Sequence, residues 1–163
     1  MVIREATTSD LAALAALEVE VYSDPWSERI ISDELAQANR VYLVVEADGR
    51  VIGFGGVMLV LEDAHITTLG IAPAYRRRGA GSRLLLAMID RALEAGSRNV
   101  TLEVRESNVD AQALYERFGF DHVGKRYGYY RDEDALVMWA LDIDGEAYRE
   151  RLDAIRDGLG EAA

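Results

Sequence analysis

The stretch from Arg40 to Leu61, RVYLVVEADGRVIGFGGVMLVL, constrains the fold more than any other. Two runs rich in β-branched residues flank Asp48-Gly49, a dipeptide suited to a tight turn, so the stretch reads as a β-hairpin. Further on, the pattern alternates. AHITTLGIA (64–72) reads as a strand stopped by Pro73, residues 79–95 as an amphipathic helix ended by Gly96, and NVTLEV (99–104) as another strand. Residues 109–119 read as a short helix stopped by Gly119, with two more strands near 121–130 and 135–142.

Before the hairpin, VIREAT (2–7) reads as a short strand. It is followed by a helix that Thr8 or Ser9 can cap, carrying Leu11, Leu14, Leu17 and Val21 on one stripe. Residues 27–38 read as a second short helix, and 144–163 as a surface helix with a frayed end. Helices alternate with strands in the middle and hairpins lie at both ends, which predicts a three-layer α/β domain with a mixed sheet. The expected organisation is one domain over 1–142 and a C-terminal helical extension over 143–163.

At 163 residues the chain is long enough to bury a core without disulfides or metal. No apolar run approaches the roughly 20 residues needed to cross a bilayer. MVIREATTSD lacks the apolar segment of a signal peptide, so a cytoplasmic location is expected, with no membrane partner. The absence of cysteine removes thiolate nucleophiles and Cys-type zinc sites, and two histidines alone are a poor basis for a metal site; no metal is expected. A formal net charge of −11 argues against a nonspecific grip on nucleic acid and suits a basic peptide partner.

Against that acidity, RRRGAGS (76–82) gathers three arginines between a strand end and a helix start. A helix N-terminus offers unpaired N–H groups and about half a positive charge, so Arg76, Arg77 and Arg78 there repel unless an anion sits in the turn. Gly79 and Gly81 let backbone approach such an anion closely. The order of residues fits neither a P-loop, which needs Gly-Lys-Ser/Thr, nor a three-glycine dinucleotide fingerprint. An exposed basic turn is the alternative reading of these residues taken alone.

The strand, RRRGAGSRLL and the following helix resemble the coenzyme-A pyrophosphate loop of the GNAT superfamily of acetyl-CoA-dependent N-acetyltransferases. Within it the chain looks most like the RimI group, which acetylates N-terminal alanines of ribosomal proteins. DPWSE (24–28), AHITTLGIAP (64–73), LEVRESNVDAQALYERFGF (102–120) and RYGYYRDEDALVM (126–138) carry that likeness, and the order of elements agrees over residues 2–142. The resemblance implies the GNAT fold: a mixed, mostly antiparallel sheet of about seven strands flanked by helices. It also implies acetyl-CoA as co-substrate and a basic small-subunit ribosomal protein as partner. By the same resemblance, backbone groups of Leu69, Gly70 and Ile71 bond the pantetheine arm and thioester carbonyl. The segment Arg77, Arg78, Gly79, Ala80, Gly81 and Ser82 wraps the pyrophosphate, and Asn108 contacts the arm. Arg76 occupies a position often held by glutamine in the RimI group.

The chemistry needs a base, an acid and a polarised carbonyl. In NVTLEVR the core face takes Val100, Leu102 and Val104, leaving Glu103 on the other face to accept a proton directly or through water. Tyr115 shares a helical stripe with Ala111, Leu114 and Phe118; packing is its plain reading. A tyrosine of pKa about 10 can also protonate a departing thiolate, and the RimI pattern has its acid at this position. His65 and His122 read as structural. Tyr129 and Tyr130, with Tyr22 and Trp26 as weaker candidates, are expected to shape an acceptor groove, strand and core packing being the alternative reading, and Glu28, Asp132 and Glu133 to meet basic residues of the acceptor.

With no cysteine to carry the acetyl group, direct attack in a ternary complex is expected. An α-amine costs roughly 3.5 kcal/mol less to deprotonate at neutral pH than a lysine, which favours a protein N-terminus. The alternatives are a lysine or small-amine acetyltransferase of the same fold, and a non-catalytic CoA-binding regulatory protein.

Overall fold

In a computed structural model, the hairpin of the opening stretch forms as β2 (Arg40–Ala47) and β3 (Arg50–Val60). Asp48 and Gly49 between them both adopt positive φ, 53° and 72°, the condition for a two-residue turn whose twist matches the strands. The structure describes residues 1–160; residues 161–163, with the frayed end expected there, lie outside the described residues.

Seven strands pair in the order β1-β2-β3-β4-β5-β7-β6. The others are β1 (Val2–Glu5), β4 (Asp63–Ile71), β5 (Asn99–Arg105), β6 (Asp121–Arg126) and β7 (Ala135–Ala140). Every neighbouring pair is antiparallel except β4 and β5. Helix α3 (Ala80–Glu94) makes the crossover between those two parallel strands. The remaining helices are α1 (Leu11–Val21), α2 (Glu28–Ala36), α4 (Val109–Arg117) and α5 (Glu146–Leu159). The sheet is mixed and mostly antiparallel, as the sequence implied.

Strand β3 carries Gly55 where α3 lies close to it, while Gly53 and Gly56 face side chains and backbone of the flanking strands. A Cβ on Gly55 would stand 2.4 Å from Met88 Sδ, so a side chain there would push the helix off the sheet. The next residue along, Phe54, points to the opposite face, where it packs edge-on against Tyr22 at the end of α1. Met88, Leu84 and Leu85 from α3 are fully buried, each worth about 1.5–3 kcal/mol of apolar burial.

Three local expectations change. The first helical turn is capped by Thr7, not Thr8 or Ser9, because Asp10 takes the Thr7 N–H at 2.8 Å while Arg4 grips the same carboxylate with both terminal nitrogens, each at 2.8 Å. The strand expected near 121–130 stops at Arg126, where Gly128 turns with φ 63° and donates its N–H to Asp134 Oδ1. The last strand ends at Ala140, ahead of Asp142 with φ 53°. Among the described residues no helix is long and apolar enough to cross a membrane.

Candidate active site

The site originates in a parting of the two parallel strands. β4 and β5 pair from Asp63↔Asn99 to Ile66↔Leu102 and no further. The register of β4 on β3 runs from Val57↔Ile66 to Gly56↔Thr68, which leaves Thr67 as an extra, bulged residue at that same point. A bulge bends and twists its strand, and here it takes Thr67–Ile71 away from Glu103–Arg105. A cleft of about 2230 Å³ opens in the gap, lined from β4, β5, α4 and the start of α3, and also from α5. Tyr22 reaches the parted edge of β4: its hydroxyl donates to the Leu69 carbonyl at 2.6 Å and accepts the Leu69 N–H at 3.3 Å. Both backbone groups expected to meet the coenzyme arm at Leu69 are therefore held by a tyrosine in this structure.

At one end of the cleft the loop before α3 curls through two left-handed residues, Arg77 at φ 61° and Gly79 at φ 82°. Left-handed backbone costs a non-glycine residue about 1–2 kcal/mol, a strain typical of ligand loops. The backbone N–H groups from Arg77 to Ser82 find no acceptor among the described residues; the first helical bond is Arg83 N–H to Gly79 O. The result is a ring of free donors at a helix N-terminus, which suits a phosphate. Arg76, Arg77, Gly79, Gly81 and Ser82 line the cleft. Arg76 spends its Nε on the Ile71 carbonyl at 3.1 Å, and Arg78 turns away over the Tyr75 ring. Ala80 is buried in the core, and Asn108 caps α4 through Ala111 N–H while also facing the cleft.

Glu103 and Tyr115 both line the cleft. The Glu103 side chain is only 8% exposed, yet both carboxylate oxygens are engaged. Oε2 lies 2.5 Å from His65 Nε2 on the neighbouring strand, and Oε1 lies 3.3 Å from Arg126 Nε. The bond from His65 holds the carboxyl below the usual carboxylate range, with Arg126 adding to it, against the opposing effect of burial. Glu103 is thus ionised, and since an ionised carboxylate only accepts, His65 Nε2 carries the proton between them. Tyr115 is buried beside Phe120, which pushes its hydroxyl well above an ordinary phenol. That hydroxyl makes no hydrogen bond among the described residues, so it remains free to donate into the cleft.

Toward the other end, Trp26, Tyr129 and Tyr130 line the cleft with Tyr22. The Tyr130 ring stacks on Arg105, 4.2 Å from its guanidinium carbon, and burial pushes its hydroxyl up to about 12. Asp132 and Glu133 pair with Arg105 at 2.7 and 3.0 Å, so their charges are already met within the chain. Glu28 opens α2 and lies outside the cleft lining. His65, read from the sequence as structural, was missed as the partner of Glu103, where the alternation of β4 against β5 was the available signal. Glu18 was missed as well: buried, and receiving the Trp26 N–H at 3.1 Å, it fixes the turn that presents Trp26.

A mixed sheet parted at a β4 bulge, with an anion cradle opening α3, defines an acetyl-transferring enzyme of one family. Residues 11–120 match the acetyltransferase (GNAT) family, and the chain belongs to it. It is a GNAT N-acetyltransferase, and enzymes of this family draw their acetyl group from acetyl-CoA. The chain is similar to the putative [ribosomal protein bS18]-alanine N-acetyltransferase of Bacillus subtilis, 36% identical over 140 residues, which cover 84% of this chain and 93% of that protein. It is equally similar to the [ribosomal protein bS18]-alanine N-acetyltransferase of Salmonella typhimurium, 36% identical over 141 residues, or 84% and 94% of the two chains. The crystal structure of the Escherichia coli ribosomal-protein-S18-alanine N-acetyltransferase superposes with a TM-score of 0.80 at 32% identity, covering 86% of this chain and 93% of that one.

Proposed function

We propose that the chain moves the acetyl group of acetyl-CoA to the α-amine of a protein beginning with alanine, by direct attack in a ternary complex. Its acceptor is the N-terminus of a small-subunit ribosomal protein, as the names of its relatives indicate for them. The observation that carries this reading is the pairing of an ionised, held carboxylate, Glu103, with an unpartnered tyrosine hydroxyl, Tyr115, on one cleft.

Each residue then has a task. The N–H groups of Arg77 to Ser82 hold the pyrophosphate, and the parted edge of β4 lies along the pantetheine, Tyr22 yielding the Leu69 N–H to the thioester carbonyl. The amine gives up a proton through a water to Glu103 and attacks the carbonyl carbon as a neutral nucleophile. The tetrahedral intermediate collapses with cleavage of the C–S bond, and the departing thiolate takes the Tyr115 proton. The nitrogen's second proton returns to the Tyr115 oxygen and Glu103 releases the first to solvent, so that amide and free coenzyme A result and both residues end as they began.

The α-amine is the acceptor because a lone carboxylate acting through water suits an amine of pKa near 7.8 better than one near 10.4. The test uses unacetylated ribosomal protein bS18 and acetyl-CoA, with the modified residue mapped by mass spectrometry. Acetyl on the first alanine supports the reading; acetyl confined to lysines, or none at all, refutes it.

A further inference from the structure

Helix α5 lies outside the family match of residues 11–120, yet it forms part of the cleft. One stripe of it, Tyr148, Leu152, Ile155 and Leu159, packs on the core. The adjoining stripe turns Glu150, Arg151, Ala154 and Gly158 toward the cleft. The helix is fastened along its length. Tyr148 Oη donates to the Phe118 carbonyl at 2.6 Å, Arg151 Nη1 to the Arg117 carbonyl at 3.1 Å, and Arg83 Nη2 to the Leu159 carbonyl at 3.1 Å. Leu159 Cδ2 lies 3.7 Å from the place a Cβ on Gly79 would occupy, so the helix end touches the pyrophosphate cradle. From Gly158 back to Ala147 the wall runs about 16 Å at 1.5 Å per residue, away from the cradle that Leu159 touches.

Arg117 and Arg151 both face the cleft and make no ion pair among the described residues. Arg117 Nη2 reaches the buried Ser82 hydroxyl at 3.3 Å, which sets its guanidinium beside the start of α3. Arg151 commits one N–H to a carbonyl and keeps the rest of its fork. Glu150 is the carboxylate that α5 brings to the cleft, while Asp110 across it is paired with Arg77. Two unneutralised guanidinium forks beyond a pyrophosphate site suit a further phosphate monoester, which arginine binds through paired N–H donors.

The geometry points to a subsite for the 3′-phosphate of the coenzyme's adenosine, formed by Arg117 and Arg151 with α5 as its outer wall. This rests on the coenzyme occupying the cleft as proposed above. The whole chain is titrated calorimetrically with coenzyme A and with 3′-dephospho-coenzyme A. The natural chain should bind coenzyme A at least tenfold more tightly. In the double variant Arg117→Ala/Arg151→Ala the two affinities should converge, with binding of the dephospho form unchanged. Ala154→Glu, which adds a charge on the same exposed face without touching either arginine, should weaken coenzyme A more than its dephospho form. Equal binding of the two ligands by the natural chain, or a preference that survives the double variant, overturns the subsite. Failure of the natural chain to bind either ligand refutes the coenzyme reading itself.

Discussion

His65 Nε2 stands 2.5 Å from Glu103 Oε2, joining the two parallel strands just before they part. Register explains the meeting: His65 lies opposite Thr101, and the alternate residue Glu103 shares that face. The bond is the largest influence lowering the Glu103 carboxyl, while burial opposes it. His65→Ala removes the lowering influence and leaves the burial, so the Glu103 midpoint should rise. An NMR titration of the Glu103 side-chain carbonyl carbon reads this directly. An unmoved midpoint would show that His65 does not set the charge of Glu103. Glu103→Gln should lower kcat about a hundredfold or more while acetyl-CoA binding holds.

Tyr115→Phe separates chemistry from packing. The ring keeps its place beside Phe120, and the hydroxyl has no protein partner to lose. The melting temperature should therefore stay within a few degrees, while kcat falls about a hundredfold, the usual weight of a general acid. A large drop in melting temperature with normal turnover would make the hydroxyl structural.

The two glycines of the loop should behave differently. A Cβ on Gly81 meets nothing nearer than Leu114 Cδ2 at 3.6 Å, ordinary contact, and alanine is the better helix residue by about 1 kcal/mol. Gly81→Ala should melt no lower than the natural chain yet raise the KM for acetyl-CoA, since the added methyl enters the cradle. Gly79→Ala must hold φ near 82° and should lose both stability, about 1 kcal/mol, and affinity. Unchanged KM in Gly81→Ala would remove close backbone approach from the loop's role.

Acid should weaken the N-terminal cap. Arg4 and the Thr7 N–H together lower the Asp10 carboxyl to about 2, with Arg4 the larger influence. A carboxyl lower in the folded chain than in the unfolded one stabilises above its unfolded value, about 3.9, and loses that contribution as pH falls toward 2. Asp10→Asn should flatten the dependence of stability on pH in this window and be less stable than the natural chain at neutral pH. Denaturant unfolding at pH 3 and 7 measures both effects.

The sequence made much of this readable where a residue's role is local. Asp48-Gly49 announces its turn, the alternation of Val100, Leu102 and Val104 marks a half-buried strand, and the arginine–glycine loop stands out against an acidic chain. What it concealed depends on partners distant in sequence. Thr67 becomes a bulge only in the register that β3 imposes, and Tyr22 meets Leu69 only because α1 ends over β4. Helix α5 displays the amphipathic pattern of a surface helix, and nothing in that pattern tells which groove its second stripe faces. Asp132 and Glu133 read as free acids until Arg105 is seen between them.

The most direct test of the proposed activity offers the chain two peptides together with acetyl-CoA. One has a free N-terminal alanine followed by basic residues; the other has a blocked N-terminus and a single lysine. Mass spectrometry should find acetyl on the alanine amine of the first and leave the second unmodified. Acetyl on the lysine peptide alone, or on neither, would contradict α-amine transfer in this cleft.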